Sequence, residues 1–297
     1  MSNILIVGGT GLTGAHAAIH LRERGHSVTV MSRSVPQIPA LQGVEHIAGS
    51  YIDSPPPQDV LAKFDSMVFA AGADIRQLPE GEDEAAFFER VNVKAIPAFF
   101  ELAKSAGIKS AVYIGSYYPQ VVPESIDRSV YVRSRHLADE GARALTDASF
   151  RVCSLNAPFI LGYVEGVALP HLEVLVNYAK GLLEGLPVVA PAGGVNHIAS
   201  ASMSVAIEHA LESGIGGKAY LVGDENLSWK TYLEQYFEGV GNPQDLPVST
   251  DEHPLFPDIM LYAGRNAVIE YDVDDAELNY PRGQVGAAIA ELVNVYS

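Results

Sequence analysis

A glycine-rich turn near the start of the chain has the residue types and spacing that bind phosphate groups. The run Gly8–Gly14 fits both Gly-x-x-Gly-x-x-Gly and Gly-x-Gly-x-x-Gly, and it separates an apolar run from a helical pattern. Glycine permits a tight turn, close approach of the backbone to a pyrophosphate, and close packing of the helix on the sheet. The helix N-terminus adds free N–H groups and a positive dipole end. We therefore expect a dinucleotide site formed by Gly8, Gly9, Thr10, Gly11, Leu12, Thr13 and Gly14.

A second phosphate-binding group follows the next predicted strand. A carboxylate at this place would accept a hydrogen bond from the 2′-hydroxyl of NAD, whereas an arginine would accommodate the 2′-phosphate of NADP. The chain has Ser32 and Arg33 there, without a neighbouring carboxylate. A guanidinium can fork onto a phosphate, and a serine hydroxyl can donate to it. We therefore expect NADP as the cofactor, with NAD less favoured.

These groups need a sheet whose strands end at one edge. Strand and helix patterns alternate with short connections over residues 1–156, which predicts an α/β fold with a Rossmann-type doubly wound parallel sheet. The predicted strands are 4–7, 28–31, 44–47, 66–70, 110–114 and 150–155. The predicted helices are 15–24, 82–105 and 131–145. Pro97 lies inside the second helix and should kink it.

The second half of the chain, residues 157–297, is less regular and is interrupted often by Gly and Pro. We interpret it as a smaller C-terminal substrate-binding region. The segment 197–223 is expected to return to the first domain, with a strand at 218–222. Its predicted helices are 200–212, 229–238 and 284–295.

Composition and charge exclude several classes of protein. The 297 residues are 48% hydrophobic and carry a formal net charge of −17. Nucleic acids and anionic membranes both require clustered Lys and Arg, so we expect neither as a partner. The lone Cys153 excludes an intrachain disulfide. No signal-peptide pattern and no apolar run of roughly 20 residues occur, so we expect a cytoplasmic protein.

The acidity is concentrated in the second half of the chain. Residues 1–156 hold 14 basic and 17 acidic side chains, whereas residues 157–297 hold 5 and 19. A sugar diphosphate needs cations to bind it. The imbalance therefore favours a neutral small-molecule substrate.

Several motifs resemble those of the extended short-chain dehydrogenase/reductases, the NAD-dependent epimerase/dehydratase family. The glycine turn looks like the family's opening GGTGFIG, and Ala70 and Ala71 end a strand similar to the one that flanks the cofactor. Asn92 lies in a Val-Asn-Val similar to the family's helix motif. Residues 156–162 are similar to the family's crossing into the substrate domain, R-P-x-x-x-x-G, with Asn156 in place of Arg.

The family's catalytic residues have counterparts in this chain. The family uses a Ser or Thr together with a Tyr and a Lys four residues apart on one helix. Tyr131 and Arg135 occupy the matching place, and Ser116 matches the hydroxyl at a strand end. The resemblance implies that Tyr131 protonates a substrate carbonyl as hydride arrives, while Ser116 hydrogen-bonds to the same oxygen. Arg135 can supply the positive charge, but it cannot relay a proton as lysine might.

Further positions around the cofactor and substrate come from the same resemblance and from their neighbours in sequence. The remaining cofactor positions are Ser50, Tyr51 and Pro158, and Ser50 replaces a carboxylate usual in the family. Substrate contacts are expected at Tyr117, Tyr118, Asn156, Phe159 and His197. Asp275 stands where the family's late motif has Lys. His16 and His20 are four residues apart, but no third ligand is evident, so we expect no metal.

Three functions remain open at this point. We favour an NADP-dependent reductase or dehydrogenase that acts on a neutral ketone, aldehyde or secondary alcohol. One alternative is a nucleotide-sugar epimerase or dehydratase. The other is a non-catalytic NADP-binding sensor, which Arg135 in place of lysine keeps open. The resemblance also allows a homodimer.

Overall fold

Strands and helices alternate along the chain, as the apolar runs predict. The computed structural model describes residues 1–35, 37–274 and 277–297, so Asp275 lies outside the described residues. The strands are β1 (Asn3–Val7), β2 (Ser27–Ser32), β3 (Glu45–Ala48), β4 (Ser66–Phe69), β5 (Ser110–Ser116), β6 (Arg151–Ala157), β7 (Phe159–Leu161), β8 (Ala190–Pro191), β9 (Gly194–Ala199), β10 (Ala219–Leu221), β11 (Glu225–Ser228) and β12 (Val248–Ser249).

The helices range from single turns to fourteen residues. They are α1 (Leu12–Glu23), α2 (Gln58–Leu61), α3 (Glu84–Phe88), α4 (Ala95–Ser105), α5 (Tyr118–Val121), α6 (Ser125–Arg128), α7 (Val130–Arg143), α8 (Pro170–Ala179), α9 (Ser200–Ser213), α10 (Trp229–Gly239) and α11 (Val285–Tyr296). Short 3₁₀ turns lie at Pro39–Leu41, Ile75–Gln77 and Asp258–Met260, and a π-helical segment lies at Glu89–Lys94.

One sheet of seven parallel strands forms the centre of the described structure. Its strand order is β10-β6-β5-β4-β1-β2-β3, so the chain runs outward from β1 in both directions. The predicted α/β fold with a doubly wound parallel sheet is therefore confirmed. In open sheets of this kind, ligands bind beyond the carboxyl ends of the strands where the order reverses. Here that point lies between β1 and β4.

Alternate side chains of β1 enter hydrophobic cores on opposite faces of the sheet. Ile4 and Ile6 pack with residues of α1 and α9, whereas Leu5 and Val7 pack with residues of α4 and α7. Each of the four is almost fully buried, and burying such a side chain contributes about 1.5–3 kcal/mol. Helices on both faces therefore fix β1, and with it the start of the glycine turn.

The long helix predicted at 82–105 is divided, and the division precedes Pro97. α3 ends at Phe88, and the π-helical segment connects it to α4. A π segment interrupts the α-helical hydrogen-bond ladder, and here it lies just before Pro97, the residue at which a kink is expected. A Cβ on Gly141 would lie 2.7 Å from Pro97 Cγ. α4 and α7 therefore approach closely at this point.

The second half of the chain adds one strand to the central sheet and builds a second layer. β10 pairs with β6, with Tyr220 opposite Leu155. β11, β9 and β7 form a separate sheet, next to which α8, α10 and α11 pack on one another. The helices predicted at 200–212, 229–238 and 284–295 are present as α9, α10 and α11. No helix in the described ranges is both long and apolar enough to cross a bilayer.

Candidate active site

The glycine turn between β1 and α1 is folded so tightly that three of its positions have no room for a side chain. Gly8 has φ +80°, and a Cβ there would lie 2.8 Å from the backbone nitrogen of Ala71. A Cβ on Gly9 would lie 2.5 Å from Val30 Cβ, and one on Gly14 would overlap the Gly8 carbonyl oxygen. These glycines are needed by the fold itself.

Gly11 is different, because the protein leaves space beside it. It has φ −84°, which any residue adopts, and a Cβ there would meet only the Gly8 carbonyl oxygen at 3.7 Å. Gly11 precedes α1, and its carbonyl accepts from Ala15 N–H at 2.8 Å, so the N–H groups of residues 12–14 point to the space ahead of the helix. This open space at a helix N-terminus fits the pyrophosphate of a dinucleotide.

The loop after β2 offers an exposed cation beside a constrained serine. Ser32 Oγ donates to the Ser34 carbonyl at 2.8 Å and lies 2.9 Å from His46 Nε2. Arg33 is exposed and forms no ion pair with any residue that the structure describes. Arg33 is thus free to meet a phosphate, whereas the Ser32 hydroxyl already has local partners.

Residues at the ends of β3 and β4 complete the predicted cofactor groove. Ser50 Oγ accepts from Ile52 N–H at 3.1 Å and so shapes its own turn. Tyr51 packs edge-on against Phe69, with ring centroids 5.1 Å apart, and burial raises the pKa of its phenol to about 12. Ala70 and Ala71 line the cleft described below.

Asn92 positions the loop after β4 and does not line the cleft. Its buried side chain accepts from Ala73 N–H at 3.2 Å and donates to the Ala73 carbonyl at 3.1 Å. It also donates to Ser134 Oγ on α7 at 3.0 Å. The family-like asparagine therefore ties the π-helical segment, the loop after β4 and α7 together.

Arg135 holds the phenol of Tyr131 in place. Its guanidinium donates to Tyr131 Oη at 3.1 Å, to Tyr113 Oη at 3.1 Å and to the Ile114 carbonyl at 2.7 Å. All three acceptors are neutral, and no carboxylate pairs with Arg135 among the described residues. The positive charge is therefore available to a phenolate on Tyr131.

The Tyr131 ring lies between two other aromatic rings, and Ser116 lies at the end of β5. Tyr262 stacks on Tyr131 with centroids 4.6 Å apart, and Phe88 meets it edge-on at 5.5 Å. Ser116 Oγ has no hydrogen-bond partner within the described chain and faces the cleft. Ser116, Tyr131 and Arg135 thus meet at one cleft, as the sequence led us to expect.

This cleft has a volume of about 440 Å³ and is mainly aromatic and apolar. Pro158, Phe159, Tyr117 and Tyr118 line it, and the rings of the two tyrosines lie 4.4 Å apart. The cleft wall also includes residues that the sequence did not single out as substrate contacts: Asp74, Arg76, His171, Trp229, Leu255, Phe256, Leu261 and Tyr262. Asp74 and Arg76 had one available signal, since they follow the end of a predicted strand.

Two of the expected substrate contacts lie inside the protein instead. His197 is 0% exposed and stacks on Tyr232 with centroids 4.4 Å apart, because β9 is buried on both faces. Asn156 is 1% exposed and donates to Gln120 Oε1 at 2.8 Å. Neither side chain can touch a substrate in the cleft.

The histidines set aside as metal ligands bind α9. His16 Nδ1 lies 2.8 Å from Ser204 Oγ, and His20 Nε2 lies 2.6 Å from a Glu208 carboxylate oxygen. Potential ligand atoms of His26, Glu208 and Glu212 lie within 4.8 Å of one another. Both Glu208 oxygens already accept hydrogen bonds, from His20 and from Arg24, so the group serves to join α1 and α9.

The family model for the NAD dependent epimerase/dehydratase family matches residues 4–192. The chain belongs to this family. The matched region contains the glycine turn, Ser116, Tyr131 and Arg135, so these side chains belong to an enzyme family with an NAD-binding Rossmann fold. No curated protein matches the chain by sequence.

Solved structures resemble this family member along its whole length. UDP-glucose-4-epimerase from Stenotrophomonas maltophila, with bound NAD and formylated UDP-arabinopyranose, has a TM-score of 0.79 at 14% identity and covers 100% of this chain and 98% of its own. The protein gox2253 has a TM-score of 0.76 at 18% identity over 98% and 96%. UDP-N-acetylglucosamine 4-epimerase from Bacillus cereus has a TM-score of 0.74 at 13% identity over 100% and 99%. At these identities the likeness shows the fold.

Proposed function

We propose that the protein is an NADP-dependent oxidoreductase that reduces a neutral ketone or aldehyde, or oxidises the matching secondary alcohol. One observation carries the proposal. The Tyr131 phenol, held by Arg135, and the free Ser116 hydroxyl face the same cleft, and the rest of that cleft is mainly apolar and aromatic.

The side chains at the cleft can manage the proton of such a reaction. When bound, the nicotinamide supplies or accepts the hydride. Ser116 Oγ and Tyr131 Oη both donate hydrogen bonds to the substrate oxygen, and Tyr131 passes its proton to that oxygen as negative charge develops. Arg135 then stabilises the phenolate through the hydrogen bond it already donates. Because Arg135 keeps its own proton, the phenolate regains a proton from solvent.

The cofactor groove supports NADP through Arg33. Its exposed guanidinium stands after β2, where an adenosine 2′-phosphate would lie if the dinucleotide follows the usual path along the sheet edge. The open space at Gly11 and the N-terminus of α1 would receive the pyrophosphate. We expect NADPH to give stronger enhancement of its fluorescence on binding than NADH does.

The turnover test compares Tyr131→Phe with the wild-type protein on a panel of neutral carbonyl compounds. We expect the wild-type protein to oxidise NADPH, and Tyr131→Phe to lower kcat by roughly 10²–10⁴-fold, because the acid is lost while the ring stays packed. Tyr163→Phe, a tyrosine outside the cleft, is the matched control and should keep full turnover. Unchanged turnover in Tyr131→Phe would show that Tyr131 is not the acid of the reaction.

The nucleotide-sugar epimerase or dehydratase remains the alternative, supported by the family's name and by the epimerase names of the similar structures. The cleft argues against a diphosphate. Its lining within the described residues includes the cations Arg76 and Arg135, and the first is paired with Asp74 while the second is held by Tyr113 and Tyr131. Thermal stabilisation by UDP-sugars, without any by neutral carbonyls, would favour the epimerase. Cofactor binding without turnover of either class would favour the sensor.

A further inference from the structure

An ion pair lines the cleft from the loop that follows β4. Arg76 Nε donates to Asp74 Oδ1 at 3.0 Å and Arg76 Nη2 donates to Oδ2 at 2.6 Å, which is a bidentate fork. The backbone holds the same pair, because Arg76 N–H donates to Asp74 Oδ1 at 2.9 Å and Asp74 N–H donates to Gln77 Oε1 at 2.8 Å. This capping box gives the pair a fixed geometry.

The pair is electrically neutral, yet it still presents hydrogen-bonding groups. Partial burial would raise the pKa of the Asp74 carboxyl, but the hydrogen bonds from Arg76 outweigh it and hold that pKa below its usual value. The Arg76 side chain is 55% exposed, and its Nη1 donates to no group within the described residues. A ligand can therefore reach two N–H groups of Arg76 and the remaining lone pairs of Asp74.

The pair shares a cleft with the catalytic tyrosine. Asp74 and Arg76 line the same cleft as Tyr131, Tyr262 and His171. A substrate bound at Tyr131 thus meets a polar patch in a cleft that is otherwise mainly aromatic and apolar.

We propose that the Asp74–Arg76 pair selects carbonyl substrates that carry a neighbouring hydroxyl group and rejects those that carry a carboxylate. This inference rests on the proposed oxidoreductase function. A hydroxyl matches both members of the pair, since its oxygen accepts a hydrogen bond from Arg76 Nη1 and its O–H donates one to Asp74. A carboxylate matches only Arg76 and is repelled by Asp74, which already neutralises the guanidinium. A substrate without the hydroxyl leaves Arg76 Nη1 and the remaining lone pairs of Asp74 with no partner in the bound complex.

Three phenyl ketones test this, since they share one core: acetophenone, 2-hydroxyacetophenone and phenylglyoxylate. We expect kcat/KM of the wild-type protein to be highest for 2-hydroxyacetophenone and lowest for phenylglyoxylate. Asp74→Asn keeps the acceptor that caps the turn but leaves Arg76 positive. It should raise the ratio of kcat/KM for phenylglyoxylate over 2-hydroxyacetophenone by roughly 10-fold or more, about the effect of one charge-assisted hydrogen bond.

A matched control removes the same charge from a similar pair elsewhere. Glu82 accepts from Arg90 at 2.8 Å, and neither residue lines the cleft. Glu82→Gln should leave the order of the three ketones unchanged. Arg76→Gln should lower kcat/KM for 2-hydroxyacetophenone toward the value for acetophenone. An Asp74→Asn protein that is folded, by its melting temperature, and shows the wild-type ratios would overturn the selection by this pair.

Binding measured without turnover separates this inference from the proposed function. The matching alcohols, 1-phenylethanol, 1-phenyl-1,2-ethanediol and mandelate, are compared by the shift in melting temperature that each causes with NADP⁺ present. One outcome is that no ketone turns over, the diol raises the melting temperature of the wild-type protein most, and mandelate causes a larger shift in Asp74→Asn than in the wild-type protein. Recognition by the pair is then supported and the oxidoreductase function is wrong. If the ketones turn over and the ratio of kcat/KM between them is the same in all variants, the oxidoreductase function is supported and the selection by the pair is wrong. The absence of both turnover and shifts overturns both.

Discussion

At the scale of single residues, the guanidinium of Arg135 satisfies three separate acceptors that a single ammonium group could not reach with the same geometry. It donates to Tyr113, Tyr131 and the Ile114 carbonyl from three different nitrogens. A guanidinium is planar and its five donors are fixed, so its hydrogen bonds lock the Tyr131 hydroxyl in direction as well as in distance. The substitution of arginine for the family's lysine therefore gives a fixed charge without a movable proton.

We predict that Arg135→Met lowers kcat by roughly 10²-fold or more, because the phenolate of Tyr131 then has no adjacent cation. The loss in unfolding free energy should be only about 1–3 kcal/mol, since neutral acceptors are left behind and no carboxylate is. Steady-state kinetics and urea denaturation measure the two effects. Arg133→Met, an exposed arginine on the same helix, is the control. Equal turnover of Arg135→Met and the wild-type protein would contradict the role of the cation.

The sequence led to the residues that stand on regular elements and missed those that depend on tertiary contact. Ser116 and Tyr131 could be found because a strand end and a helix face predict where their side chains point. Tyr262 reaches the cleft from an irregular segment that no local pattern ties to it, and Asp74 had only its place after a predicted strand as a signal. His197 was misplaced because no strand was predicted at 194–199, where β9 is covered on both faces.

At the scale of elements, every strand of the central sheet was predicted, and the most buried of them, such as β1, stand out as continuous apolar runs. A strand buried on both faces has a continuous apolar sequence, and this signal is local. No local sequence signal predicts the division of the helix expected at 82–105, because the π-helical segment serves to place Asn92 against Ala73 and Ser134. The extra residues in that turn are justified only by these partners, and neither lies next to Asn92 in sequence.

The junction of β1 and α1 permits a prediction that separates folding from binding. Gly14→Ala should lower the unfolding free energy by about 1–3 kcal/mol, because its methyl group would overlap the Gly8 carbonyl. Gly11→Ala should change it by less than about 1 kcal/mol, because φ is ordinary and space is present. Gly11→Ala should nevertheless weaken NADPH binding, since the methyl group enters the proposed phosphate space. Thermal melts and NADPH fluorescence titrations of both variants, compared with Gly286→Ala at an exposed position of α11, decide this.

At the scale of the whole molecule, the concentration of acidic residues does not extend to the cleft wall. The second half of the chain holds 19 carboxylates, but Asp74 from the first half is the acid that lines the cleft within the described residues. The preference for a neutral substrate therefore rests on the aromatic lining and on the Asp74–Arg76 pair. The distant carboxylates add only a general negative field, which salt screens over about 10 Å.

The fold as a whole should lose stability in mild acid through His197. Burial lowers the pKa of His197 to about 3, against about 6.5 in the unfolded chain. The neutral imidazole contributes its full stability above pH 6.5, and the contribution falls as pH drops from 6.5 toward 3, because only the unfolded chain takes up the proton. At pH 5 the loss in unfolding free energy amounts to about 2 kcal/mol.

His197→Phe keeps an aromatic ring against Tyr232 and cannot titrate. Urea denaturation at pH 7 and pH 5 should show a smaller drop in unfolding free energy for His197→Phe than for the wild-type protein. His136→Phe, at a partly exposed site on α7, should retain the wild-type drop. An equal drop in His197→Phe and the wild-type protein would show that other groups bind the proton on unfolding.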